Sequence, residues 1–133
     1  MKKEVFIALA LFIGLFGMLF LVYSFTNQSG TSNQIEAKFN KQALIYFYGE
    51  TCPNCQVVND WLKAEKIADK LKFVKLEVYN NKENADLLEQ AALICKLDLN
   101  KIGVPFLYSR GKCLIGTPDV KKGFLEEVKK LKT

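Results

Sequence analysis

The apolar positions of this chain fall into two unequal parts. From Val5 to Phe25 the sequence VFIALALFIGLFGMLFLVYSF carries no charge. As a helix rising about 1.5 Å per residue it would span about 31 Å, which matches a hydrocarbon core of about 30 Å. The run predicts one membrane-spanning helix, with residues 1–25 as an N-terminal anchor. A secretory signal would have a shorter apolar stretch of ~7–15 residues, followed by a small-residue cleavage site. The following SFTNQSGTSNQ offers none, so an uncleaved anchor is expected over a cleaved signal. Residues 26–40 then read as a polar, Gly- and Ser-containing tether, with Ile35 and Phe39 spaced for a short helix.

From 41 to 133 the pattern changes to that of one α/β domain. ALIYFY (Ala43–Tyr48) is an unbroken apolar and aromatic run, as expected of a central strand covered on both faces. Cys52-Pro53 follows, and proline is tolerated at the first helical position. Val57, Val58, Trp61 and Leu62 continue at helical spacing. KFVKLEVY (Lys72–Tyr79) alternates Val74, Leu76 and Val78 with Lys75 and Glu77, predicting a strand nearer the sheet edge. Ala85, Leu88, Ala92 and Cys95 predict a second helix. VPFLYS and CLIG read as two strands joined by a tight turn at Gly111. Asp119 is the expected cap of a last helix to Leu131, with Phe124, Leu125, Val128 and Leu131 inward. The order β-α-β-α-β-β-α requires a right-handed crossover between its first two, parallel strands. Together these elements predict a mixed four-stranded sheet with helices on both faces, preceded by the transmembrane helix.

Charge adds the orientation. Lys2 and Lys3 precede the apolar run and nothing charged follows it until Glu36. The positive-inside rule then keeps the N-terminus in the cytoplasm. It predicts a single-pass protein of the cytoplasmic membrane with its domain on the extracytoplasmic side, where disulfides persist. The formal net charge is +5; removing Lys2, Lys3 and Glu4 leaves about +4, spread evenly. With no basic run interleaved with aromatics, no nucleic-acid partner is expected. Histidine is absent, which removes Cys–His nucleophiles and every zinc site except one of thiolates or carboxylates.

The candidate chemistry lies in the four cysteines. Cys52 and Cys55 form a C-x-x-C at a strand-to-helix junction. There the unpaired N–H groups of the first helical turn and the helix dipole favour an anion. Cys52 is thereby a candidate attacking thiolate, and Cys55, one turn further in, the resolving thiol. Zinc would need two further ligands, and Cys95 and Cys113 are single residues. A purely structural disulfide within C-x-x-C would close a tiny loop and constrain little. No metal and no cofactor is expected. For Cys95 and Cys113 an even leftover pair in an exported domain predicts a structural disulfide, over the alternatives of buried free thiols or a second redox pair.

ALIYFYGETCPNC together with IGVPFLYSRGKCLIGTPDV resembles the thioredoxin superfamily over about residues 40–131. The resemblance implies a thioredoxin-like fold, a cis proline at Pro105 beside the cysteines, and a substrate segment docked on the backbone of Val104. Pro53 and Asn54 of the dipeptide, with Gly116, Thr117 and Asp119 at the last helix, are similar to the substrate-binding positions of glutaredoxins. The chain departs from that subfamily at Glu50, where a basic residue is usual. It departs from thioredoxins at Tyr46, where a buried aspartate is expected, and at Thr51, which replaces a tryptophan. The implied activity is thiol–disulfide exchange by a protein-disulfide oxidoreductase. Its partners would be thiol or disulfide protein substrates, a membrane redox partner, and the membrane through residues 5–25. Pro-Asn does not by itself set the direction, because the poise depends on the relative stability of the two redox forms. The rival reading is a binding or metal-delivery module of the same fold, using the thiols as ligands.

Overall fold

The structure, a computed structural model, describes residues 3, 7, 12–21, 39, 40 and 42–132. The chain divides into two compact units, Met1–Lys38 and Phe39–Thr133. In the first, residues 12–21 are helical. Among the described residues, no helix is long and apolar enough to cross a membrane. The anchor expected over 1–25 extends beyond these residues on both sides. The tether, and the helix expected at Ile35, lie outside them, while Phe39 sits in a turn.

The second unit is a four-stranded sheet of order β2-β1-β3-β4. Strands β1 (Leu44–Tyr48) and β2 (Val74–Glu77) are parallel, and β1 is antiparallel to β3 (Phe106–Ser109). Strand β4 (Lys112–Ile115) continues antiparallel to β3 at the far edge. The helices are α1 (Pro53–Ala64), a single turn α2 (Ile67–Lys70), α3 (Lys82–Ile94) and α4 (Thr117–Lys130), with a 3-10 turn at Leu99–Lys101. This is the mixed, doubly covered sheet the pattern predicts, with two short helical turns added.

Period-two alternation sorts the run in β1 onto two faces. Leu44 and Tyr46 join Val58, Leu62, Leu107, Val120, Phe124 and Val128 in one core beneath α1 and α4. Phe124, fully buried, meets the rings of Tyr46 and Phe73 edge-on; burying such a side chain stabilises by about 1.5–3 kcal/mol. Ile45 and Phe47 point the other way, with Phe106 and Tyr108, and all four are at most 2% exposed. Helix α3, burying Leu88, Ala91 and Ala92, covers this second face. The β3–β4 connection is Arg110-Gly111, at φ +51° and +89°. Two successive left-handed residues make the hairpin turn whose twist matches the flanking strands.

Three local expectations are corrected. Helix α4 starts at Thr117 with Gly116, at φ +88°, as its cap, so Asp119 lies within the first turn. Phe124 and Val128 face inward, but Leu125 and Leu131 are exposed. In β2, Val74 is half exposed, while Lys75 is paired opposite Tyr46 and shares its face, its ammonium 4.4 Å from the centre of the Tyr48 ring.

Candidate functional site

Cys52 and Cys55 are free thiols at the C-terminal end of β1, where the chain turns into α1. Cys52 is the N-cap of α1, and its Sγ accepts a hydrogen bond from the Cys55 N–H at 3.2 Å. Pro53 in the first turn has no N–H to satisfy, and the Cys55 N–H is the helix-end donor that reaches the sulfur. Cys52 is 6% exposed and Cys55 is fully buried. The Cys52 thiol also reaches the carbonyl oxygen of Val104, Sγ to O 3.6 Å.

The bond from Val104 to Pro105 is cis. Pro105 is joined to the start of α4 through its carbonyl, which accepts the Gly116 N–H at 2.9 Å. Thr117 Oγ1 donates to the Asn54 carbonyl at 3.3 Å. Cys52, Cys55, Asn54, Val104, Pro105, Gly116 and Thr117 are thus linked bond by bond around one corner of the sheet. Asp119 instead lines a groove with Ser109, Arg110, Lys112 and Lys122.

Behind the cysteines there is no carboxylate on β1. Tyr46, fully buried, donates from its hydroxyl to the Cys55 carbonyl at 3.5 Å. Burial, and then the Cys55 and Cys52 sulfurs, push the phenol far above its ordinary range, so Tyr46 stays protonated. Burial first, and then the hydrogen bond and charge of Cys52, push the Cys55 thiol up to about 12. The Gly49 backbone and the Lys75 ammonium pull the other way. Lys75 is itself lowered, by burial and by the charge of Lys63. Cys55 is therefore a proton-holding thiol, with one cation near enough to ease its ionisation.

Glu77, at the end of β2, organises the rim. Its carboxylate accepts the N–H groups of Glu50 (3.1 Å), Tyr79 (2.8 Å) and Asn80 (2.8 Å). Burial pushes it up, but these bonds outweigh that and hold it below the usual carboxylate range. Glu50, in turn, accepts from Asn80 Nδ2 at 3.1 Å. The loop entering the C-x-x-C is in this way stitched to the loop leaving β2. The alternation of Lys75 and Glu77 marks β2 only as an edge strand, and gives no sign that both serve the site. Cys95 and Cys113 are bonded to each other, with Cα atoms 6.1 Å apart, joining the end of α3 to β4.

Strand order, the C-x-x-C at the head of α1 and the facing cis proline define a thioredoxin-like fold. No family model matches the sequence, and no curated protein matches it. Among solved structures, the chain is similar to a buckwheat glutaredoxin in complex with glutathione. That alignment has 18% identity and a TM-score of 0.47, and covers 72% of this chain and 80% of the other. A wheat glutaredoxin aligns with 17% identity and a TM-score of 0.47, over 75% and 91% of the two chains.

Proposed function

We propose that this protein is a membrane-tethered thiol–disulfide oxidoreductase that exchanges disulfides with exported protein substrates. The observation that carries this reading is Cys52 itself. Its sulfur caps α1, receives the Cys55 N–H, and lies 3.6 Å from the backbone oxygen of Val104, where an extended substrate segment would pair. In the reducing direction the Cys52 thiolate attacks a substrate disulfide. A Cys52–substrate bond forms, and the first substrate sulfur leaves as a thiolate. Cys55 gives up its proton and attacks Cys52, forming the Cys52–Cys55 disulfide and releasing the second substrate thiolate. Two electrons pass to the substrate, and oxidation is the same sequence reversed. Val104, Pro105 and the Asn54–Thr117 link hold the substrate and the motif in register. Tethering through residues 5–25, with the domain outside the cytoplasmic membrane, is supported by the uncharged run and the lysines before it.

Insulin reduction by the full chain in detergent, driven by dithiothreitol, tests the exchange. The wild type should accelerate precipitation of the insulin chains, and Cys52→Ser should not. A wild type no faster than Cys52→Ser, but binding a thiophilic metal stoichiometrically, would establish the metal-delivery module instead.

A further inference from the structure

Tyr79 follows β2 and is 56% exposed, yet its ring lies against Gly49, three residues before Cys52. A Cβ added at Gly49 would stand 2.6 Å from Cδ2 of that ring and closer still to Cζ and Cε2. Only glycine permits this approach. The Gly49 carbonyl accepts the Cys52 N–H at 3.2 Å, so the residue under the ring belongs to the turn that presents the nucleophile. One carboxylate, Glu77, holds the N–H of Tyr79 and that of Glu50, clamping the ring and the turn together.

We propose that Tyr79 is a positioning residue for Cys52: its phenol hydroxyl donates a hydrogen bond to the Cys52 sulfur as thiolate, while its exposed ring walls the docking face. Desolvation first, and then the neighbouring charge of Cys52, push the Tyr79 phenol above its ordinary range, so it keeps the proton it would donate. A hydrogen bond to an anion exceeds one to a neutral acceptor. The bond therefore stabilises Cys52 as a thiolate, both before attack and when Cys55 displaces it. It stabilises the reduced protein over the disulfide, and so biases the exchange toward oxidising its substrates. This inference rests on the exchange chemistry proposed above.

The test compares Tyr79→Phe, which keeps the ring, with Gly49→Ala, which displaces the ring and keeps the hydroxyl. Both are made in the full chain carrying Cys55→Ser, so that Cys52 is the one free thiol. Thiolate absorbance near 240 nm and the iodoacetamide rate at pH 7 should each fall by about three- to tenfold in both variants, the net scale of one typical hydrogen bond. With Cys55 restored, Tyr79→Phe should shift the equilibrium with glutathione toward the protein disulfide by a similar factor. Unchanged absorbance and rate in Tyr79→Phe, with insulin reduction intact, would overturn the role of Tyr79 and leave the oxidoreductase standing. A fall in absorbance without any insulin reduction by the wild type would leave the hydrogen bond standing and overturn the oxidoreductase.

Discussion

The hydroxyl of Tyr46 donates to the carbonyl oxygen of Cys55 in the first turn of α1, at 3.5 Å. A phenol that burial and two neighbouring sulfurs keep protonated cannot take a proton from Cys55. In the proposed exchange, resolution of the mixed disulfide would draw on another group, and Lys75 on the adjacent strand supplies the nearby positive charge.

Lys75→Met should therefore slow the resolving step while leaving the first attack unchanged. The effect of one partly exposed charge is screened, so a factor of about two to five is expected. Quenched-flow trapping with a model disulfide should show the Cys52 mixed disulfide persisting longer in the variant. Identical lifetimes would remove Lys75 from the mechanism.

The Cys55 thiol, pushed up to about 12, also makes the stability of the reduced protein depend on pH. The folded state keeps a proton that the unfolded chain releases near ~8.5. The stabilising contribution is thus complete below about pH 8.5 and is lost as pH rises toward about 12. Urea melts of reduced wild type should weaken through this window more steeply than those of reduced Cys55→Ser. Parallel curves would show that the thiol is not desolvated.

Glu127 is 2% exposed and accepts from Ser109 Oγ (3.0 Å), Arg110 Nε (2.6 Å) and Lys130 Nζ (2.6 Å). Burial pushes its carboxyl up, but the bonds from Lys130, Arg110 and Ser109 outweigh it and set it below the ordinary range. Its contribution is present above the unfolded value of ~4.3 and is lost as pH falls through the folded one. Glu127→Gln should cost about 1–3 kcal/mol at pH 7 and show a shallower decline between pH 5 and 3 than wild type. Chemical denaturation at pH 7, 5 and 3 would measure both.

The Cys95–Cys113 bridge spans a sequence separation of 18, and its loop includes Val104 and Pro105. On the chain-entropy model, closing a loop of this size stabilises by about 3 kcal/mol. Replacing both cysteines with alanine should lower the stability by about that amount, and Cys52 should still alkylate at neutral pH. A double variant as stable as wild type would mean that the crosslink does not restrict the unfolded chain.

If residues 5–25 anchor the chain, intact mass of protein from the membrane fraction should include residues 1–25, and alkaline carbonate should not extract it. A soluble product beginning between Ser24 and Gly30 would make the segment a cleaved signal.

Much of this was written in local patterns. The uncharged run in β1, the cysteine pair before Pro53 and the Arg110-Gly111 turn each specify their own geometry, because period, capping and left-handed φ are properties of neighbours in the chain. Hence the element order and the placement of Cys52 at a helix head were legible from the sequence. Asp119 misled because a good capping residue lies two positions inside a helix that Gly116 already caps. Leu125 and Leu131 misled because helical spacing names a stripe without saying how wide the facing surface is. Close approach of Gly123 to Leu107 and Leu114 turns α4 so that Phe124 and Val128 fill the core.

The sequence by itself determined the architecture, the C-x-x-C at a helix head and the expectation of a bridge between the two remaining cysteines. Only the tertiary structure decided what surrounds Cys52 and Cys55. Tyr46 behind Cys55, Lys75 beside it, Glu77 across the rim and the Tyr79 ring on Gly49 come from separate strands and loops, without a shared motif. Their meeting depends on the parallel register of β1 with β2, which pairs Tyr46 with Lys75 and Tyr48 with Glu77. Register arises from the packing of whole faces, and no single stretch of residues encodes it.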